Sequence, residues 1–159
     1  MRILVVVILM FVFSVAAYKY KNKFRLKIKL AEEIISYVEF YETNISFYKE
    51  NLYKINSRFN IMQENKNAKN ICLQLNNNIY LLNNKILFKT FDLGCCDIIN
   101  KYFSEIGQSD YCYEKDKCDN ILKFLTKLKI EAKEDLKTKG EMWFKIILMI
   151  GVLISIIIW

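Results

Sequence analysis

No proline occurs anywhere in this chain of 159 residues, and beyond Gly107 the only glycines are Gly140 and Gly151. Proline and glycine are the residues that most often stop a helix, so residues 110–159 read as one long helix opened by Asp110 as a capping residue. Apolar side chains recur through its first half at Cys118, Ile121, Leu125, Leu128, Ala132 and Leu136. Steps of three and four keep them on one helical face. Lys117, Asp119, Lys123, Lys127, Lys133 and Glu134 take the opposite face, so this half is amphipathic.

From Met142 onward the polar face is gone. Trp143 and Trp159, the two tryptophans of the protein, bracket a run interrupted only by Lys145, Gly151 and Ser155. A helix rises ~24 Å between them, close to the separation of the aromatic belts of a bilayer. A buried core helix or an interfacial segment is the alternative, since residues 146–158 are uncharged for only thirteen positions and a full span takes ~20. Lys145 can snorkel to the head groups and restore the length, which favours a membrane span.

The N-terminus repeats the pattern. Residues 3–17 carry no charge, and Lys19, Lys21, Lys23, Arg25, Lys27 and Lys29 follow at once. A secretory signal peptide cleaved after Ala16 or Ala17 would share the apolar run. Six cations directly behind it resist translocation, however, and the positive-inside rule holds them in the cytoplasm. Lys133, Lys137, Lys139 and Lys145 precede the second apolar run and no charge follows it. Both flanks therefore point inward, giving an N-terminal anchor over residues 1–18, a cytoplasmic helical domain over 19–141 and a C-terminal anchor over 142–159. An exported domain with a C-terminal anchor is the competing topology.

The charge is distributed accordingly. Residues 30–145 hold seventeen basic and seventeen acidic side chains, so the formal charge of +7 comes from Arg2 and the six cations behind the first anchor. A nucleic-acid binder would carry that excess on its folded domain; here it marks a membrane flank. No nucleic-acid partner is expected.

Between the anchors, apolar residues at Phe24, Ile28, Ala31, Ile35, Val38, Tyr41, Ile45, Tyr48, Leu52, Ile55 and Phe59 predict one continuous helix. Leu30, Ile34, Tyr37 and Phe40 form a second row that widens the face beyond a coiled-coil seam, which favours a bundle over a dimeric coiled coil. Tyr37, Phe40, Phe47 and Tyr53 lie off the main stripe and fit either an exposed sticky face or a broad core contact. The asparagine-rich run at 60–70 reads as a loop. Ile71, Leu75, Ile79 and Leu82 read as a short second helix, and residues 87–93 as a further short turn of helix. Ile98, Ile99, Tyr102, Phe103 and Ile106 define another helix, which Gly107 ends as a C-terminal cap before Asp110 caps the next.

Chemistry-bearing patterns are missing. The chain has no histidine, no glycine-rich phosphate loop and no C-x-x-C pair. Five cysteines, Cys72, Cys95, Cys96, Cys112 and Cys118, are an odd number in a segment placed in the cytoplasm and read as reduced thiols. Cys112 and Cys118 would be the pair to suspect in an exported domain. Glu32-Glu33 and Glu134-Asp135 read as solvated helix surface. No catalytic residue, metal site, cofactor or small-molecule substrate is expected, and the chain is read as a non-enzyme.

With these residues in view, the chain resembles the stage III sporulation protein AB family. The resemblance rests on Tyr102, Ile106, Gly107 and Asp110, which fit the family's aromatic, aliphatic-glycine and aspartate pattern, and on Met142, Trp143 and Gly151 at and within the second anchor. It departs from the family at Ile147, where glycine is common, and in a first anchor without glycine. Residues 60–91 match only in being helical. The resemblance implies an all-α, membrane-anchored helical bundle similar to the cytoplasmic helical domain of type II secretion inner-membrane platform proteins, with a transmembrane helix at each end. It further implies a structural subunit of the sporulation channel complex between mother cell and forespore. Partners would be an ATPase of the same assembly and other membrane subunits, with a homo-oligomer left open. Gly107 and Asp110 would be structural residues of a helix turn. An unrelated small helical membrane protein is the competing reading.

Overall fold

In the computed structural model, residues 2–48, 50–65, 71–76 and 79–158 are described. In chain order they form α1 (Arg2–Tyr48), α2 (Leu52–Asn65), strands β1 (Leu73–Asn76) and β2 (Ile79–Leu82), α3 (Asn84–Thr90), α4 (Leu93–Glu105) and α5 (Tyr111–Asp135). A π-helical turn (Leu136–Gly140) and α6 (Glu141–Ile158) follow. The fold is all-α apart from one small hairpin. Two compact units form, one from Met1–Ile28 with Ile130–Trp159 and the other from Lys29–Lys129. The division falls within α1 and α5 rather than at the ends of the apolar runs.

The second unit is built on α1. Leu30, Ala31, Ile34, Tyr37, Val38, Tyr41 and Ile45 are all buried, so both rows of the apolar face pack into a core. Tyr37 sits at its centre, with ring centroids 5.2–5.5 Å from Tyr80, Phe59 and Phe103. Phe40 packs on Phe59 at 5.3 Å. Tyr37 and Phe40 thus serve the core; Tyr53 is exposed, and the side chain of Phe47 lies outside the described residues.

Five expectations need correction. The helix expected through residue 59 stops at Tyr48 and restarts at Leu52, because Asn51 caps a new one: its side-chain oxygen accepts the Lys54 N–H at 3.0 Å and its carbonyl accepts those of Lys54 and Ile55. The loop expected from residue 60 is helix through Asn65, where Asn60 bonds Glu64 one turn on; residues 66–70 lie outside the described residues. The second helix expected on Ile71, Leu75, Ile79 and Leu82 is a hairpin, Leu73 pairing Leu82 and Asn76 pairing Ile79. Four apolar residues at those spacings fit a helix. Leu73 and Tyr80 are buried while Gln74 and Leu81 are exposed, and that is the period of a strand.

The short turn expected at 87–93 is shifted: α3 begins after Asn83, whose side chain accepts the Ile86 N–H, and α4 begins at Leu93. Nor is the last helix uniform, since it widens into a π turn at Leu136–Gly140. In the first unit Ala132, Leu136, Gly140 and Phe144 step by four. In a pure α-helix Phe144 would stand roughly 120° round from Ala132; the wider π turn takes up most of that drift. Ala132 and Gly140 are buried, and Leu136 and Phe144 half-buried.

Candidate functional site

Two places gather the residues that the sequence singles out. The first is the corner between α4 and α5. Ile106 is extended and ends α4, and Gly107 follows at φ 76°, a left-handed conformation that glycine adopts without strain. A Cβ there would lie 3.3 Å from Leu52 Cδ2. Asp110 stands at the start of α5, its carbonyl accepting the Glu114 N–H at 3.0 Å. Its own side chain is exposed and accepts no hydrogen bond among the described residues.

The carboxylate that closes the corner is Glu114, which is 3% exposed. It accepts the Gly107 N–H at 3.1 Å, the Ser109 N–H at 3.2 Å and the Tyr41 hydroxyl at 3.2 Å. Lys117 Nζ lies 3.7 Å away, one turn further on. An anion in the first turn also suits the helix dipole. Sequence reasoning passed over Glu114. The available signal was a glutamate following a capping aspartate, although it stands four residues on rather than the three of a capping box.

Other buried polar tips are matched in the same way. Tyr37 donates to Asn56 at 2.8 Å, and Tyr102 Oη lies 3.4 Å from Cys118 Sγ. Burial, with neighbouring tyrosine and cysteine groups adding to it and the Glu114 carboxylate acting on Tyr41, pushes the hydroxyls of Tyr37, Tyr41 and Tyr102 well above the ordinary tyrosine range. Burial also raises the Cys72 thiol, and pushes that of Cys118 up to about 11 although its bond to Tyr102 works the other way. These groups are neutral at physiological pH and serve packing. All five cysteines are free thiols; Cys72, Cys96 and Cys118 are buried and Cys112 is exposed.

Glu33 corrects the reading of Glu32-Glu33 as solvated. Glu32 pairs with Lys129 at 3.0 Å. The Glu33 carboxylate accepts the N–H groups of Ile71, Cys72 and Leu73 at 2.7–3.2 Å, tying the entry of β1 to α1. It is a contact across about forty positions of sequence, which no local pattern announces.

The second place is the pair of apolar helices. Phe24 faces Gly140, Lys21 reaches Glu141 at 3.7 Å, and the Tyr20 and Trp143 rings stand 6.2 Å apart. Phe13 lies against Gly151, where an added Cβ would come within 2.9 Å of Phe13 Cβ. Numbers falling on α1 while they rise on α6 make the pair antiparallel. Among the described residues the buried ones of this unit are small: Ala17, Ala132, Gly140, Gly151 and Ser155. Close backbone approach at small residues is how helices associate in lipid. Ser155 and Ser14 each bond a carbonyl one turn back, so both serine hydroxyls are satisfied within their own helix. Met142 and Trp143 are exposed, as are Leu4, Val7, Phe11, Met149, Leu153 and Ile157. Trp159 lies outside the described residues.

Two clefts of about 280–290 Å³ flank the α4–α5 corner. One lies between α4 and α5 on Ile98, Tyr102, Ile121 and Phe124; the other is lined by Tyr41, Glu50, Leu52 and Glu114. Among the described residues no group of three or more His, Cys, Asp or Glu could hold a metal ion.

Fold and site together define an all-α protein with a candidate transmembrane helix at each end of the chain. Both helices are long and apolar enough to cross a membrane, and little of either apolar window is buried within the protein. The model of the stage III sporulation protein AB family matches residues 2–159. The chain belongs to that family, and it is a stage III sporulation protein. No curated protein and no solved structure matches it.

Proposed function

We propose that this protein is a structural and interaction subunit of the sporulation channel complex, anchored in the mother-cell membrane by both ends, with its middle domain in the cytoplasm. There it docks an ATPase of the same assembly and holds it to membrane subunits of the channel. The observation that carries the reading is the antiparallel pairing of the two apolar helices through small residues. Such a pair returns the chain to the side of the membrane it left, and the cations behind the first helix favour the cytoplasmic side. The same pairing favours an uncleaved N-terminal anchor over a signal peptide, since Phe13, which cleavage after Ala16 or Ala17 would remove, serves as a partner of α6 at Gly151. A middle unit whose tyrosines, buried thiols and Glu114 are committed to packing suits docking better than turnover.

The test is purification of the tagged full-length chain, expressed from its own promoter and extracted in mild detergent from sporulating cells. An assembly ATPase and further small membrane proteins should co-purify, and the chain should be absent from vegetative cells. Expression independent of sporulation with no ATPase recovered would refute the reading.

A further inference from the structure

The first unit carries a charge imbalance that its own residues leave open. Residues 19–27 hold five cations and no acid. Lys21 is turned toward α6, paired with Glu141 and lying 5.4 Å from the Phe144 ring centroid. Lys19, Lys23 and Arg25 are exposed, and none has an ion-pair partner among the described residues. Lys19 and Lys23 stand one turn apart, where like charges repel. On the facing helix Lys139 is paired with Asp135 at 2.7 Å, while Lys137 and Lys145 are exposed.

These cations sit at a defined level. The Tyr20–Trp143 contact marks it on both helices, with Tyr18 and Met142 exposed beside it. On one side of that girdle lies the exposed apolar wall, and on the other Lys23 and Arg25. We propose that this collar is a binding site for anionic phospholipid. Acyl chains lie on the wall of α1 and α6, the ester region meets Tyr18, Tyr20 and Trp143, and the phosphate with its uncompensated charge meets Lys19, Lys23 and Arg25. A zwitterionic lipid offers the same chains but cancels its own charge, so the unpaired cations select for net negative head groups. The inference rests on the membrane reading of the two helices and is independent of ATPase docking.

The experiment uses the full chain with Trp159→Phe, leaving Trp143 as the single tryptophan, reconstituted in phosphatidylcholine vesicles. Brominated phosphatidylglycerol and brominated phosphatidylcholine are compared as quenchers. Phosphatidylglycerol should associate about fivefold more strongly at low salt, falling toward equality at 1 M salt. K19Q/K23Q/R25Q should bring the ratio below about twofold, whereas K19R/K23R/R25K and K133Q should leave it unchanged. Equal quenching by both lipids in the parent protein, an unaltered ratio in the triple glutamine variant, or displacement by inorganic phosphate at constant ionic strength would each overturn the proposal. Quenching by neither lipid would refute the membrane reading with it.

Discussion

Replacing Gly151 by alanine tests the helix pair at its tightest point. The new Cβ would meet Phe13 Cβ at 2.9 Å, Cγ at 3.0 Å and Cδ2 at 3.1 Å, whereas carbon atoms rest at ~3.5–4.0 Å. The nearest atom belongs to the root of the phenylalanine, so a rotamer change does not relieve it. The helices must separate by roughly 0.5–1 Å, which forfeits about a quarter to a half of each affected contact. Overpacking of this kind costs ~1–3 kcal/mol. Alanine recovers ~1 kcal/mol of helix propensity, so the net loss is about 0–2 kcal/mol. A double-mutant cycle removes the propensity contribution. Phe13→Ala is the wrong partner because it keeps the offending Cβ; Phe13→Gly removes it. In a detergent denaturation followed by tryptophan fluorescence, G151A should be worse in the parent than in F13G, with a coupling of ~1–3 kcal/mol. A coupling near zero would refute the close approach of α1 and α6.

Glu114→Ala should destabilise the protein by about 2–4 kcal/mol and Glu114→Gln by less, since the amide keeps one acceptor oxygen; hydrogen exchange at the Gly107 and Ser109 amides should rise most in the alanine variant. Gly107→Ala should cost ~1–2 kcal/mol for a left-handed residue and Gly107→Asn less, read from thermal melts. Denaturation midpoints should fall as pH rises from about 9 toward about 11: the Cys118 thiol is raised from 9.0 to about 11 on folding, so its contribution is complete below the lower value and lost by the upper. The buried Cys72 thiol, raised from the same 9.0, adds to the fall, as do the buried tyrosine hydroxyls above pH 10, so Cys118→Ala should lessen its first part without abolishing it. Under native conditions maleimide should label exposed Cys112 rapidly, and Cys72 and Cys118 only on unfolding.

Periodicity made the long helices legible. The stripe from Ala31 to Ile45, the row of Cys118, Ile121, Leu125 and Leu128, and the apolar ends could all be read because a helix facing one partner repeats its apolar side every three or four residues. The glycine at 107 could be read because a left-handed turn demands that residue. Residues 71–82 could not, since so few apolar positions fit either period and the deciding contact, Glu33 against the N–H groups of Ile71 to Leu73, comes from α1. The break at Asn51 was hidden for a related reason: Leu52, Ile55 and Phe59 continue the apolar rhythm across a cap. Glu114 drew no notice because its burial depends on Tyr41, seventy-three residues away. Gly151 was visible as a membrane glycine, but its partner Phe13 sits at the other end of the chain.

Topology is the central claim, and Cys112 reports it without any added residue. Full-length protein in intact cells is treated with a membrane-impermeant maleimide before and after permeabilisation, with Cys112→Ser as the control for site. Labelling of Cys112 only after permeabilisation is the predicted result and places the middle domain where an assembly ATPase could reach it. Labelling in intact cells would put that domain outside and contradict the double-anchored cytoplasmic arrangement.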